Sequence, residues 1–253
     1  MISKIYKRVF KVIAKKPLQL LGVSLLGTLL TSLSWVLFGV VPGIALGLTW
    51  LINVGMVAVY LKGYRGEGVD VDQIFLAFKD GKTAKHVLAG MGWQELWIFI
   101  WGLIPVAGPI IALIKGYEYS LTPYILIQQP EVSPREALKV SMKKTENHKW
   151  HMLLAEFVIP GGIIFAVTLL LLLFSLIPVA GIMFSGTILI VIVACAAFLP
   201  FFQGLVHAAF YEEIMNPEAE AMKDAGIQAI PVQPVDNAQP VNAEAENAPT
   251  ENN

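Results

Sequence analysis

The chain has 253 residues, of which 56% are hydrophobic and 15% charged, with a formal net charge of −1. A soluble domain carries about 25% charged residues, so this composition excludes an ordinary soluble enzyme. The near-zero net charge itself says little, because the basic residues lie mainly before residue 150 and many acidic ones after 210. No nucleic-acid partner is expected. The single cysteine, Cys195, lies in an apolar run and excludes both an internal disulfide and a cysteine metal site within one chain.

Residues 1–17 read as a basic amphipathic N-terminal helix. Ile2, Ile5, Tyr6, Val9, Val12 and Ile13 fall on one face, with Lys4, Arg8, Lys11 and Lys15 opposite. Such a helix can lie in the membrane interface with its basic side chains on anionic headgroups; it can equally serve only as a topology signal. The apolar run from Leu18 to Val41 is longer than the 7–15 residues of a signal-peptide core, so it is expected to be a retained first span.

Residues 18–215 are expected to form an all-α membrane domain of six spans, about 18–40, 44–61, 87–104, 109–128, 151–177 and 182–211. Charge sorting supports the count. Six Lys or Arg lie in the N-terminal arm, five in 62–86, five in 129–150 and one in the tail, but none near Pro42, Pro105 or Pro178. The positive-inside rule then puts both termini in the cytoplasm of a multi-pass cytoplasmic-membrane protein.

The outer turns VVPGI (40–44), LIPVAGPI (103–110) and LIPVAGIM (176–183) read as hairpin tips. Each hairpin leads to an inner helix with a start signal: Asp70 with Gln73, Ser133 with Pro134 and Glu136, and Asn216 with Pro217. The spacing from turn proline to cap is 28 residues in the first two units and 38 in the third, which suggests three hairpins, each with a cytoplasmic amphipathic helix. The first inner helix sets Val71, Ile74, Phe75 and Phe78 on one face, suited to the bilayer or the bundle. The second, 134–149, spaces Arg135, Lys139 and Lys143 four apart as a solvated, lipid-facing or partner-docking face. From residue 216 onward the chain is expected to be a cytoplasmic tail. Beyond Met222 it turns to Ala, Pro, Asn, Gln and Glu, a composition that cannot bury enough apolar surface to order itself.

Charge at bilayer depth demands partners. Glu95, Lys115 and Glu118 fall at similar depths in neighbouring spans. They read either as a relay or polar pocket for a cation, proton, solute or headgroup, or as a buried ion pair fixing helix register. Nearer the inner side are Glu156, just before Pro160-Gly161-Gly162, and His207, a turn beyond Pro200 and Gln203. The Pro-Gly-Gly triplet should kink or break its helix, and broken helices line binding sites. A Glu156–His207 contact is one reading and two separate interfacial residues the other. Trp93, Trp97 and Trp101 form a stripe suited to packing or an interfacial belt. His148 and His151 flank Trp150 without an acidic ligand at metal-site spacing. No phosphate loop, nucleophile elbow or HExxH pattern is present, so neither catalytic residue, metal nor cofactor is expected.

Three stretches carry a resemblance: YRGEGVDVDQIFLAFKD (64–80), YEYSLTPYILIQQPEVSPREALKVSMKKTENHKWHML (117–153) and LPFFQGLVHAAFYEEI (199–214). Together they resemble an uncharacterised bacterial integral-membrane family, domain of unknown function 975. That family's Arg-Gly-Glu turn, Tyr-x-Tyr-Ser exit with its basic helix, and closing Phe-Tyr-Glu fall on Arg65-Gly66-Glu67, Tyr117 through Ala137, and Phe210-Tyr211-Glu212. The chain departs from the pattern over 154–198, where a Leu/Ile/Val run replaces the family's Gly-Trp and Gly-Ile-Gly segments. More distantly, the hairpin pattern is similar to the membrane domain of glycerophosphodiester phosphodiesterases, whose catalytic domain has no counterpart here. The resemblance implies a six-helix membrane protein without an established activity. Two functions remain open: a non-enzymatic module binding membrane lipids, or a protein partner through its cytoplasmic helices or tail, and a small-solute or proton-coupled transporter using Glu95, Lys115 and Glu118.

Overall fold

A computed structural model describes residues 1–175 and 181–217, apart from some side chains between 171 and 196. The expected turn at Pro178, the helix that Asn216 would start, and the tail lie outside the described residues. All regular structure among the described residues is helical, and Met1–Asn216 form one compact unit.

Helix α1 (Ile2–Lys15) runs into α2 (Pro17–Val36), whose end tightens into a 3-10 turn at Leu37–Gly39 before α3 (Pro42–Arg65) starts with Pro42 in its first turn. Proline there gives up an N–H that has no helical partner anyway. Helix α3 ends in a Schellman turn: Gly66 adopts φ 84° and the Glu67 N–H donates to Lys62 O at 3.0 Å. Glycine takes this left-handed conformation without a Cβ clash.

Four helical segments are long and apolar enough to cross a membrane: Pro17–Gly39, Pro42–Arg65, Lys149–Leu170 and Val193–Met215. Their burial differs in a telling way. The α3 segment is 61% buried, whereas Lys149–Leu170 is 11% buried. A helix apolar all round and almost bare of protein contacts needs an apolar solvent. Leu18, Leu29, Phe99, Leu103, Ile110, Ile163 and Phe165 continue this exposed apolar surface.

Helix α3 occupies the centre, touching α2, α4 (Gly81–Gly102), α6 (Thr122–Gln128), α10 (Gly181–Met215) and the 3-10 helix Val71–Phe78. The last of these packs closest. A Cβ on Gly55 would lie 1.9 Å from the Ile74 carbonyl oxygen, so only glycine permits the approach. Ile74 and Ala77 are buried there, while Val71, Phe75 and Phe78 remain exposed. The expected single apolar face is therefore divided: a 3-10 turn stacks residues three apart, which sets Phe75 and Phe78 on a row separate from Ile74 and Ala77, and Val71 is the helix's first residue.

The expected fourth span is two helices. Helix α5 (Gly108–Glu118) stops after 11 residues, about 16 Å at the α-helical rise, and α6 restarts at Thr122. Helix α7 (Pro134–Thr145) crosses the break. Its start is the full capping box, with Ser133 and Glu136 bonded reciprocally. The Ser141 hydroxyl donates to Glu118 O at 2.7 Å and accepts from Leu121 N at 3.2 Å, while Thr145 Oγ1 reaches the same Glu118 oxygen at 3.1 Å. Backbone groups freed by a break must find partners away from water, and α7 supplies them.

The Pro160-Gly161-Gly162 triplet does not end its helix. The chain continues from α8 (Lys149–Leu153) through a π turn (Leu154–Val158) into α9 (Ile159–Ser175). Proline has no N–H to donate, so carbonyls in the preceding turn turn elsewhere. Ala155 O accepts from the Tyr6 hydroxyl of α1, and Glu156 O accepts from Gln203 Nε2 of α10 at 3.2 Å. Loose carbonyls become cross-links between helices.

Helix α1 also differs from a free interfacial helix. Ile5 and Val9 are fully buried within the protein, and Tyr6 and Phe10 pack on the Phe202 ring. Arg8, one of the residues expected to face headgroups, donates to Glu213 at 2.9 Å. Lys4, Lys7, Lys11 and Lys15 are exposed. The reason is geometric: Val12 and Ile13 continue the apolar stripe that the bundle covers, so the stripe is taken up by protein.

Candidate functional site

Three polar constellations sit inside or beside the bundle. The first joins the ends of α3, α6 and α10. Arg65 Nε donates to Glu212 Oε1 at 2.7 Å and Arg65 Nη1 to Gln128 Oε1 at 3.0 Å, while Glu212 Oε2 accepts from Asn216 Nδ2 at 3.1 Å. Tyr124 stacks on Tyr211 beside it, with ring centroids 4.8 Å apart. Glu212 is 3% exposed, and its charge is tolerable at that burial because each oxygen is bonded.

The second is centred on Glu118. Lys115 Nζ donates to one carboxylate oxygen at 2.6 Å and Lys149 Nζ to the other at 2.9 Å. Lys115 also lies over the Trp101 ring, 5.6 Å from its centroid. The structure therefore brings Lys115 and Glu118 together and adds Lys149. It does not bring Glu95 to them. Glu95, half-buried on α4, has no ion pair or hydrogen bond among the described residues. Its neighbour Trp93 takes Arg135 over its face at 4.9 Å, and Trp93 meets Trp97 edge-on at 5.9 Å.

The third is the pair Glu156 and His207. His207 Nδ1 lies 2.9 Å from Glu156 Oε1. Both residues border a broadly open cavity of ≈ 480 Å³, whose walls include Ile98, Leu113, Gly116 and Ser120. Tyr117 borders the same cavity. The cavity's position follows from the two irregularities described above. Tyr117 and Ser120 at the α5 break line it, and Glu156 in the π turn contacts Gln203 and His207 of α10.

Lys115, Glu118 and Glu95 do not line this cavity. Among the described residues no group of three His, Cys, Asp or Glu side chains is placed to hold a metal ion. The sequence reading did not single out Arg65 with Glu212, Lys149, or Ser141 with Thr145. The last pair had a visible signal: Ala137, Ser141 and Thr145 are small residues four apart, opposite the stripe of Arg135, Lys139 and Lys143. Arg65 and Glu212 stood inside the stretches that carry the family resemblance.

Comparison with protein-family models, with curated proteins and with solved structures found no match.

Proposed function

We propose that this chain is a six-span protein of a bacterial cytoplasmic membrane, built as three hairpins with both termini inside, and that it works without catalysis by engaging anionic lipid headgroups. The α5–α6 pair is read as one interrupted span and α4 as another. The observation that carries the reading is the state of the intramembrane charge. Glu118 is neutralised twice from within the protein, whereas Lys7, Lys11 and Lys15 on α1 and Lys139, Lys143 and Lys144 on α7 remain exposed. Exposed lysines at a membrane surface contribute about 1 kcal/mol each toward anionic lipid. The three stretches that resemble the family of unknown function meet around Arg65, Tyr124 and Tyr211–Glu212, which supports reading them as one inner end, also the natural place for a protein partner.

Purified, delipidated protein titrated with phosphatidylglycerol and with phosphatidylcholine tests this. Phosphatidylglycerol is expected to raise the melting temperature more, and replacing Lys7, Lys11 and Lys15 together by Gln should remove the difference. Equal responses to both lipids would overturn the proposal. So would a proton or solute flux in liposomes that Glu118→Gln abolishes, which is the signature of the transporter alternative.

A further inference from the structure

The 3-10 helix Val71–Phe78 carries one apolar row that the described residues leave uncovered. Its inner row, Ile74 and Ala77, is fully buried, and the Gly55 contact sets its distance from α3. On the outer row Phe75 and Phe78 are 44% and 40% exposed, with ring centroids 6.2 Å apart, and Val71 at the start is 42% exposed. The height of the segment follows from Gly55. That glycine stands seven positions before Lys62, about 10 Å at the α-helical rise, and α3 carries no charged residue from Pro42 to Leu61. The 3-10 helix is thus held beside the uncharged part of α3 and not below its end. Charge returns at both of its ends, where Asp70, Lys79 and Lys82 are exposed. An apolar row between exposed charges, alongside the uncharged stretch of a spanning helix, belongs at the boundary between acyl chains and headgroups.

We propose that Val71, Phe75 and Phe78 form an interfacial wedge that inserts into the acyl boundary of the adjoining leaflet, with Asp70, Lys79 and Lys82 staying at the headgroups. Area favours lipid over protein as the occupant. Three side chains about two-fifths exposed offer roughly 200 Å², against about 800 Å² per partner in a stable protein interface. Lipid sets no such minimum, since the gain from burial grows in proportion to the apolar area covered. Tethering favours it too. Five residues join the segment to α3 and two join it to α4, so the row stays against the side of the bundle. Because the inner row is locked at Gly55, the wedge holds α3 at a fixed depth and so anchors the bundle. The flanking charge is mixed in sign, so the wedge suits zwitterionic lipid, unlike the lysines of α1 and α7. The inference rests on the reading of α3 as a span, and not on a preference for anionic lipid.

Spin labelling of the full chain in phosphatidylcholine nanodiscs tests this. Asp72→Cys, Phe75→Cys and Phe78→Cys are each made alone in a Cys195→Ser background and carry a nitroxide. All three positions are exposed, so the label displaces no buried side chain. Depth is read from collisions with dissolved oxygen, which concentrates among acyl chains, and with a water-soluble nickel chelate, which stays outside. The labels at 75 and 78 should both favour oxygen and lie about 5–10 Å into the boundary, whereas the label at 72 should favour the chelate. Chelate access at 75 and 78 equal to that at 72 would overturn the proposal, since the row would then face water. Low access to both reagents would also overturn it, by showing that protein covers the row. The lipid here is zwitterionic, so neither result depends on the response to phosphatidylglycerol, and the two proposals fail separately.

Discussion

Glu118 at the end of α5 and Glu156 in the π turn before α9 are both carboxylates held among the helices, and their surroundings differ. Glu118 has a lysine on each oxygen, and the hydroxyls of α7 hold its carbonyl. Glu156 has a single imidazole contact and an open cavity at its side. Desolvated charge is stable only where its bonds are complete. The comparison therefore separates a carboxylate held by a lysine on each oxygen from one held by a single imidazole contact.

The Arg65–Glu212 network is the strongest form of the first kind and should respond most. Glu212→Ala is expected to cost about 3 kcal/mol, the low end for breaking a buried pair, because Arg65 is partly exposed. Denaturant unfolding in micelles measures this, and a loss below about 1 kcal/mol would place the pair among surface salt bridges. Glu118→Gln should cost about 2 kcal/mol through two charge-assisted hydrogen bonds. Glu156→Gln should cost about 1 kcal/mol in the same assay, since only the single contact to His207 is weakened. A reversed order of the two Gln variants would break the distinction between the two kinds.

The smallest effect belongs to a cap outside the spans. The Thr83 N–H, donating at 2.7 Å, holds the Asp80 carboxyl below the usual carboxylate range. With the folded-state value below the unfolded one near 3.9, the cap contributes fully above that value and is lost as pH falls through the folded-state value. Amide exchange in the first turn of α4, corrected for intrinsic rates, should quicken between about pH 6 and pH 3. Asp80→Asn should remove that dependence. A wild-type turn equally protected at both values would contradict the assignment.

Much of the helical layout was legible because its signals are local. The Ser133 box, the Pro42 start and the apolar runs each depend on residues within a few positions of one another. What was illegible depended on contacts between distant segments. The α5–α6 break exists because Ser141 and Thr145, some twenty residues downstream in sequence, receive its backbone groups. The π turn persists because Tyr6 and Gln203 accept that role at Ala155 and Glu156. Depth alone groups Glu95 with Lys115 and Glu118, but a helix also has azimuth, and among the described residues Glu95 makes no bond to the pair that Lys149 completes. Lys149 was counted among inner-boundary charges, where nothing in its spacing marked it as Glu118's second partner. The Glu156–His207 contact was one of two readings that spacing left open, and helix packing across α9 and α10 selects it.

Membrane orientation underlies the functional account, and the turn between α4 and α5 offers the most direct access to it. Val106 is 96% exposed at that tip. In a Cys195→Ser background, Val106→Cys should react with a membrane-impermeant maleimide added to intact cells, while Lys139→Cys on α7 should react only after the membrane is opened. Labelling of residue 106 solely from the cytoplasmic side would contradict the account.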